Sequence, residues 1–497
     1  MTSNNEDGYK VKVSDEDLTT LLDYKLAQSS SSFLDTSELS DERQKSTYEY
    51  AMIPQGHLKP QGVSRIVSSD TVEAIEGYTA VLSELLFDNN KLAKFKAYDR
   101  TPLALHKATA ASELLNHCLF SKNRGWSVLN TWLKSALMWK LSAVTWTYAS
   151  EEKVSFEEYE VIDSTALDVL LSDPEITTTG DIYLDERSGN YLDVRLKRTK
   201  VTNKVVVSAV PPETLRVGRG ATGIHDASFV GFEEEMTRSE IRERWPEAAE
   251  GVDWSAVESG IHYATQLNTD SLARKQAIGT TLLLGSGDDN QLEATESAVV
   301  LRCWVYVDRD GDGIAELKYI VRVGDTILEE EDADHIQVAT FTPFEIPFEL
   351  EGLSMSDMVR PSTLASTAIL RGFVENTYLT NYAPKIADPN VVDFSALQNM
   401  KPKQIIASNG NPQGAVASLP PEQISTGTVP LLQFLQGHKE QATGLSKAAQ
   451  GLNDALYVSG NSEAKVSQVQ SAAQIRIQFI ARRFMETGGR ELLEGIY

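Results

Sequence analysis

The residues best placed by type and spacing to do chemistry are the carboxylates of Asp308-Arg309-Asp310-Gly311-Asp312-Gly313, which match the opening of a calcium loop of EF-hand type. A hard cation wants clustered oxygen ligands, and Asp308, Asp310 and Asp312 offer them at alternate positions. The match then fails. Its twelfth position is Tyr319 where a bidentate Glu is needed, and the flanks Val299–Val307 and Ile314–Val323 read as strands, not helices. The stretch therefore predicts a β-hairpin whose Asp and Gly residues supply turn conformations, its carboxylates exposed. Calcium there would stabilise a hairpin at most. A calcium-stabilised binding or adhesion module built on Asp308–Asp312 is the rival reading from another class.

Enzyme signatures are missing. The chain has no G-x-x-x-x-G-K-[ST], no G-x-S-x-G, no H-E-x-x-H and no C-x-x-C, and its 7 histidines are scattered. Gly218, Gly220 and Gly223 imitate a dinucleotide-binding glycine motif, but they follow Arg216 in a loop with no helix after them. No catalytic residue, cofactor or resident metal is expected. Two cysteines, Cys118 and Cys303, are too few for a disulfide framework and read as buried apolar-like residues.

Charge narrows the partners. The net charge of −25 argues against a sequence-reading DNA protein, which would cluster Lys and Arg against phosphates. That charge is unevenly spread: Ser354–Tyr497 holds 12 Lys+Arg against 11 Asp+Glu, whereas Met1–Leu353 holds 34 against 60. On composition alone the acidic surface reads as solubilising. No stretch approaches the ~20 apolar residues of a membrane span, and the polar start lacks a signal-peptide pattern, so a cytosolic chain is expected.

The elements that position these residues change character along the chain. From Gly352 the pattern is helix, loop, helix, loop, helix. A first helix is predicted from Ser354 and Asp357 to about Asn381, carrying Val359, Ile369, Phe373 and Tyr378 at helical spacing, with Pro361 in its first turn or at a kink. Proline-punctuated residues 384–427 read as a strand-and-loop excursion, with Gln404–Ala407 as a short strand. A second helix is predicted from Thr428 to Thr443, stopped by Gly444, then a loop over 444–462, then a helix over 463–497.

Before Gly352 the order is helices, then strands. Asp15–Leu26, the segment holding Arg43 and Tyr48, Ser69–Phe87, Pro102–Leu119 and Trp126–Lys140 read as helices, the last with a packing stripe of Trp126, Leu129, Leu133 and Leu137. From Ala143 strands appear at Val144–Tyr148, Tyr191–Leu196 and Val205–Val207, and Thr237 with Glu240 forms a capping-box pattern. Residues 254–290 read as a polar, irregular insertion.

Here a resemblance enters. Thr443-Gly444-Leu445, Gly451-Leu452, Gln474-x-Arg476-Ile477 and Ile480-Ala481-Arg482-Arg483-Phe484, set behind a helix–loop–helix, resemble the C-terminal half of portal proteins of short-tailed bacteriophages. Arg43 and Tyr48 before a loop, Ser64-Arg65 before a helix, the Pro211-Pro212 pair and the 308–313 turn are similar to that family's wing, with Val63 where members often have Gly.

The resemblance implies an α+β portal-type fold: a mixed helix and strand wing over 1–353 (helical 1–142, strand-rich 143–350), stem helices 354–383 and 428–443, and a strand-and-loop clip over 384–427. A tunnel loop over 444–462 and a long C-terminal helix over 463–497 complete it, with a crown expected beyond Tyr497. It further implies a twelve-subunit ring at one capsid vertex, a channel for double-stranded DNA packaging and ejection, and contacts with capsid protein, scaffold, terminase and tail adaptors. Its place would be the virion after assembly in the host cytoplasm. On this reading Lys439, Lys447, Asn453, Tyr457, Asn461 and Lys465 face DNA, and Lys385, Lys401 and Lys403 in the clip dock partners.

Overall fold

The structure is a computed structural model describing residues 13–29, 38–87, 91–99, 101–179, 183–185, 190–254, 257, 269–278, 296–381, 385–387, 390, 409, 416–418, 427–444 and 463–497. Helices α1 (Asp15–Gln28), α2 (Glu38–Tyr50), α3 (Asp70–Phe87), α4 (Pro102–Asn116) and α5 (Gly125–Trp139) come first. Strand β1 (Ser142–Asp163), helix α6 (Ser164–Leu171) and strands β2 (Ile176–Thr178), β3 (Tyr183–Asp185), β4 (Asn190–Val210), β5 (Leu215–Val217) and β6 (Phe229–Thr237) follow. Next come α7 (Arg238–Arg244), α8 (Pro246–Ala249), α9 (Thr269–Ala277), β7 (Ser297–Val307), β8 (Glu316–Val323), β9 (Thr326–Asp332) and β10 (Val338–Phe341). The last part holds α10 (Met355–Asn381), β11 (Lys385–Ala387), β12 (Val416–Ser418), α11 (Thr428–Thr443), α12 (Glu463–Glu486) and α13 (Gly488–Ile496).

The main core forms where α5 presents Leu129, Trp132, Leu133, Ala136 and Leu137, spaced i, i+3, i+4, i+7 and i+8, to α3, β1 and α12. Phe484 of α12 sits at its centre, with ring centroids 4.8 Å from Trp132, 5.0 Å from Phe341 and 6.3 Å from Phe87, all edge-on. Burying each such side chain contributes roughly 1.5–3 kcal/mol. Trp126, expected on this stripe, is instead exposed, because it lies three residues before Leu129 at the helix start, beyond the reach of the core.

One sheet runs β10-β1-β4-β2 with β3 also on β4, and a second runs β5-β6-β7-β8-β9. The first layer of contact between them is Leu141, Val210 and Val338 against Val217, Phe232 and Trp304. On the second sheet, Leu18 and Leu22 of α1 cover Phe229, Cys303 and Ile320, while Ile241 and Trp245 of α7 and its end pack on Val300, Val321 and Val323. Buried among these, the Cys303 thiol is pushed up to about 12 by loss of water. Cys118 departs from its expected burial: it lies half-buried in the π-helical turn His117–Lys122 that continues α4.

The strand fragments read near Val144, Tyr191 and Val205 are parts of one ribbon, in which β1 and β4 pair antiparallel from Ala143↔Val210 to Asp163↔Asn190. Within the stretch read as irregular, Thr269–Ala277 is helical and packs against α2. Pro361 is not in the first turn of α10 but inside the helix. The final helix breaks at Thr487, because Gly488 passes so close to the body that an added Cβ would lie 2.4 Å from the Thr340 carbonyl oxygen and 2.6 Å from Trp132.

Candidate functional site

Two long helices, α10 and α11, lean on one another and on α3, and the geometry of their joint with the body follows from named side chains. At the start of α10, the Ser354 hydroxyl accepts the Asp357 N–H at 3.1 Å while Asp357 accepts the Ser354 N–H at 2.9 Å, a reciprocal cap that satisfies two orphan donors. A Ser/Thr face of α10 then meets α3: Thr363 and Thr71 share a hydrogen bond of 2.9 Å, and Thr367 accepts the Ser68 N–H at 3.0 Å. Small hydroxyl side chains let the helices approach closely while their polar atoms stay paired.

The cations of α10 are spent on the body. Arg360 Nε lies 2.7 Å from Glu49 Oε1, its Nη1 is 3.1 Å from Asp357 Oδ1, and it also pairs with Glu42. Burial works to lower the Arg360 pKa, but the Glu49, Asp357 and Glu42 carboxylates outweigh it and hold the guanidinium above its usual range. Arg371 donates to the carbonyls of Ile66 at 2.8 Å and Leu58 at 2.7 Å.

Lys439 of α11, expected to face DNA, has its ammonium between Asp70 Oδ1 at 2.7 Å and Glu73 Oε2 at 2.8 Å, in the first turn of α3. Burial presses its pKa down, and the hydrogen bonds from Asp70 and Glu73 more than reverse this, so it stays charged well above neutral pH. Within the protomer this residue therefore clamps α11 to α3. Sequence reading missed the clamp, since nothing local announces partners so far upstream.

Five residues on, α11 is capped by Gly444 with φ 76°, the left-handed conformation that glycine adopts without strain. Its last carbonyls are taken: the Tyr78 hydroxyl donates to Thr443 O, and Arg476 Nη1 donates to Gln441 O at 2.8 Å. Burial pushes the Tyr78 hydroxyl up to about 12, which keeps it a donor. Residue 445 thus leaves from a pinned root. Lys447, Asn453, Tyr457, Asn461, Lys401, Lys403 and the Gln404–Ala407 strand lie outside the described residues. Lys385 falls in β11 and Lys465 in α12, with their side chains outside the description.

Every Lys or Arg from 354 onward whose side chain is described has a partner in the same chain. Besides Arg360, Arg371, Lys439 and Arg476, Arg483 pairs with Glu345, Arg482 lies 3.7 Å from Glu486, and Arg490 lies 2.6 Å from Glu494. The two long helices also leave large apolar side chains exposed, Leu364, Phe373, Tyr378 and Leu379 on α10 and Val429, Leu431 and Phe434 on α11, among polar ones such as Thr377, Gln433 and Gln436.

The Asp308–Gly313 turn joins β7 to β8, which pair from Val307↔Glu316 onward. Asp308 accepts the N–H groups of Gly311 at 2.7 Å, Asp312 at 3.1 Å and Gly313 at 2.7 Å, and Asp312 accepts that of Ile314 at 2.8 Å. These bonds, the Gly313 N–H foremost, hold the Asp308 carboxyl below its ordinary range. Ligand oxygens of Asp308, Asp310 and Asp312 lie within 4.8 Å of one another, the one such acidic cluster among the described residues. Each oxygen bonded to the loop is one that a cation would have to share.

A mixed helix and strand body carrying two long helices with exposed apolar side chains and internally paired cations has the α+β make-up of a phage portal protein. A family model described as the phage SU10 portal protein matches residues 18–497, and this chain belongs to that family. No curated protein matches the chain. The family is a structural one, and the chain is a phage portal protein, a component of the virion. Among the described residues, no helix is long and apolar enough to cross a membrane.

Proposed function

We propose that copies of this chain close into a ring, of twelve in the form the resemblance implies, at one capsid vertex, and that double-stranded DNA passes through the ring during packaging and ejection. In this reading 1–353 is the wing, α10 and α11 are the stem, 384–427 is the clip and 444–462 the tunnel loop. The observation that carries it is the character of the stem helices. They expose Phe373, Tyr378, Leu379, Leu431 and Phe434, which neighbouring copies would cover, and their described cations are all paired within the chain. A channel wall with few free positive charges lets a polyanion slide without the counterion-release grip of a basic surface.

The tunnel-loop residues Lys447, Asn453, Tyr457, Asn461 and Lys465 are proposed to face DNA, with Lys439 bracing their root. Lys385, Lys401 and Lys403 are proposed to dock terminase and later tail adaptor proteins at the clip. Capsid protein and scaffold would be met at the wing during assembly in the host cytoplasm. Negative-stain imaging of the purified protein tests the ring: annular particles with a central hole are expected, and particles of monomer size at every concentration would sink it. Replacing Lys447 and Lys465 by Glu and measuring packaged genome length tests the loop, because unchanged packaging and retention would remove both residues from the channel.

A further inference from the structure

The ribbon of β1 and β4 carries a charge pattern and a strip of exposed apolar side chains. β1 holds six carboxylates between Glu151 and Asp163 against Lys153, and β4 holds five cations between Arg195 and Lys204 against Asp193. One long side of the ribbon is thus acidic and the other basic. Across the pair, Arg195 lies 3.0 Å from Glu158 and Arg198 3.5 Å from Glu157.

The edges differ as well. On the outer side of β1, β10 pairs only with Ser142–Thr145, so Trp146–Asp163 has no strand beside it among the described residues. On the outer side of β4, β2 and β3 pair with Leu196–Arg198 and Asn190–Leu192, the Thr199 N–H donates to the Glu175 carbonyl at 2.8 Å, and Asn123 bonds the backbone of Val205 and Val207. An unpaired edge of some 18 residues spans about 60 Å at ~3.3 Å per residue.

One face of the ribbon carries exposed apolar side chains among polar ones. Side chains at alternate positions of β1 share a face with the residues directly opposite on β4. At the base of this face Trp146 and its partner Val207 are buried in the main core. Further out, Tyr148 is 67% exposed, Val154 40%, Phe156 65% and Val201, opposite Glu152, 50%. A second small core, Ile162, Leu167, Ile176, Val194 and Leu196, closes the tip from the ribbon and the elements between its strands. A bare two-stranded ribbon between two cores is marginal in water, and a strip of aromatic and branched side chains along it asks for a cover.

We propose that the cover is a second copy of this chain, laid so that the basic β4 side of one ribbon meets the acidic β1 side of its neighbour over the strip Tyr148, Val154, Phe156 and Val201. The charge pattern selects this arrangement. Two β1 edges brought together in a two-fold contact repel, as do two β4 edges, whereas β1 against β4 attracts. A contact between unlike edges is head-to-tail, the kind that repeats around a ring and closes. The proposal rests on the ring reading and adds to it the surface that fixes the order of neighbours.

The test uses the full chain and light scattering across protein concentration at about 50 mM and about 500 mM salt, chosen to straddle strong and weak screening. Two variants are compared with the parent: Lys197→Glu with Lys200→Glu, and Tyr148→Asp with Phe156→Asp. All four positions lie on the ribbon surface, so circular dichroism is expected to match the parent. Assembly of both variants is expected to need at least a tenfold higher concentration, the charge variant's deficit shrinking at the higher salt and the apolar variant's persisting. If both variants assemble at the parent's concentration, the ribbon contact is overturned and the ring stands. If the parent itself never assembles, the ring reading falls and this proposal with it. Variants that assemble normally yet fail to enter capsids would put capsid protein on the ribbon, which also overturns the proposal.

Discussion

Lys439 and Asp70, 369 residues apart in sequence, bring ammonium and carboxylate to 2.7 Å. The pair sits where the first turn of α3 meets α11, so one contact fixes both the tilt of α11 and the position of its last turn. The helix end helps, since acidic side chains in the first turn of α3 complement its exposed N–H groups.

Lys439→Met is expected to lower stability by roughly 2–3 kcal/mol, short of a fully buried pair because Glu73 is half-exposed to water. Lys439 is raised from 10.5, so its share is complete below that value and drains as pH climbs through the folded pKa. Glu73 is lowered from 4.5, so its share is present above that value and is lost as pH falls through its folded pKa. Urea unfolding of parent and variant should therefore differ by a constant amount between about pH 5 and pH 10. Below pH 4.5 the gap should close.

How much of this was readable beforehand depended on range. Ser354 with Asp357, Thr237 with Glu240 and Gly444 act within three or four residues, and their helix ends follow from the residue types alone. The β1–β4 ribbon was read only in pieces, because Glu151–Lys153 and Lys197–Lys204 are too polar to show alternation and it is their pairing with each other that makes them strand. Helix Thr269–Ala277 hid for a similar reason: its buried Ala273 is too small to mark a periodic face. At the site, the fate of Lys439 needed a partner from the other end of the chain, which no local pattern supplies.

Two glycines in helices should respond in opposite senses. At Gly488 an added methyl group would strike the Thr340 carbonyl oxygen at 2.4 Å and Trp132, so Gly488→Ala is expected to cost ~2–3 kcal/mol through forced repacking. At Gly372, inside α10, a Cβ meets nothing within 4 Å, and Gly372→Ala should gain ~0.5–1 kcal/mol by restricting the unfolded chain. Thermal unfolding of the pair reads both signs, and a stabilised Gly488→Ala would show that the break before α13 is not set by this close approach.

Glu351 gives a pH dependence of the reverse sense to Glu73. Burial raises its pKa above 4.5, and the nearby charges of Arg43 and Lys140 do not fully offset this. The folded state then holds its proton longer than the unfolded one, so stability is complete below 4.5 and falls as pH rises through the folded value. Glu351→Gln is expected to be more stable than the parent at pH 8 and no more stable at pH 4. A gain that does not vary with pH would assign the effect to packing instead.

The Asp308 turn can be tested for calcium, the ion its three carboxylates would suit. Its oxygens already accept three backbone N–H groups, and both Gly311 and Gly313 hold left-handed φ values of 75° and 89° that those bonds fix. Asp308→Ala releases the Gly311 and Gly313 N–H groups, while that of Asp312 keeps Asp310 Oδ1 at 3.2 Å, and should lower the thermal midpoint modestly by fraying the β7–β8 hairpin from its tip. Because the turn is closed by its own backbone, the parent's midpoint is expected to be the same in millimolar calcium and in chelator, and calorimetric titration should show no saturable heat. A calcium-dependent rise in midpoint that Asp310→Asn and Asp312→Asn abolish would instead give this loop an ion that braces the hairpin.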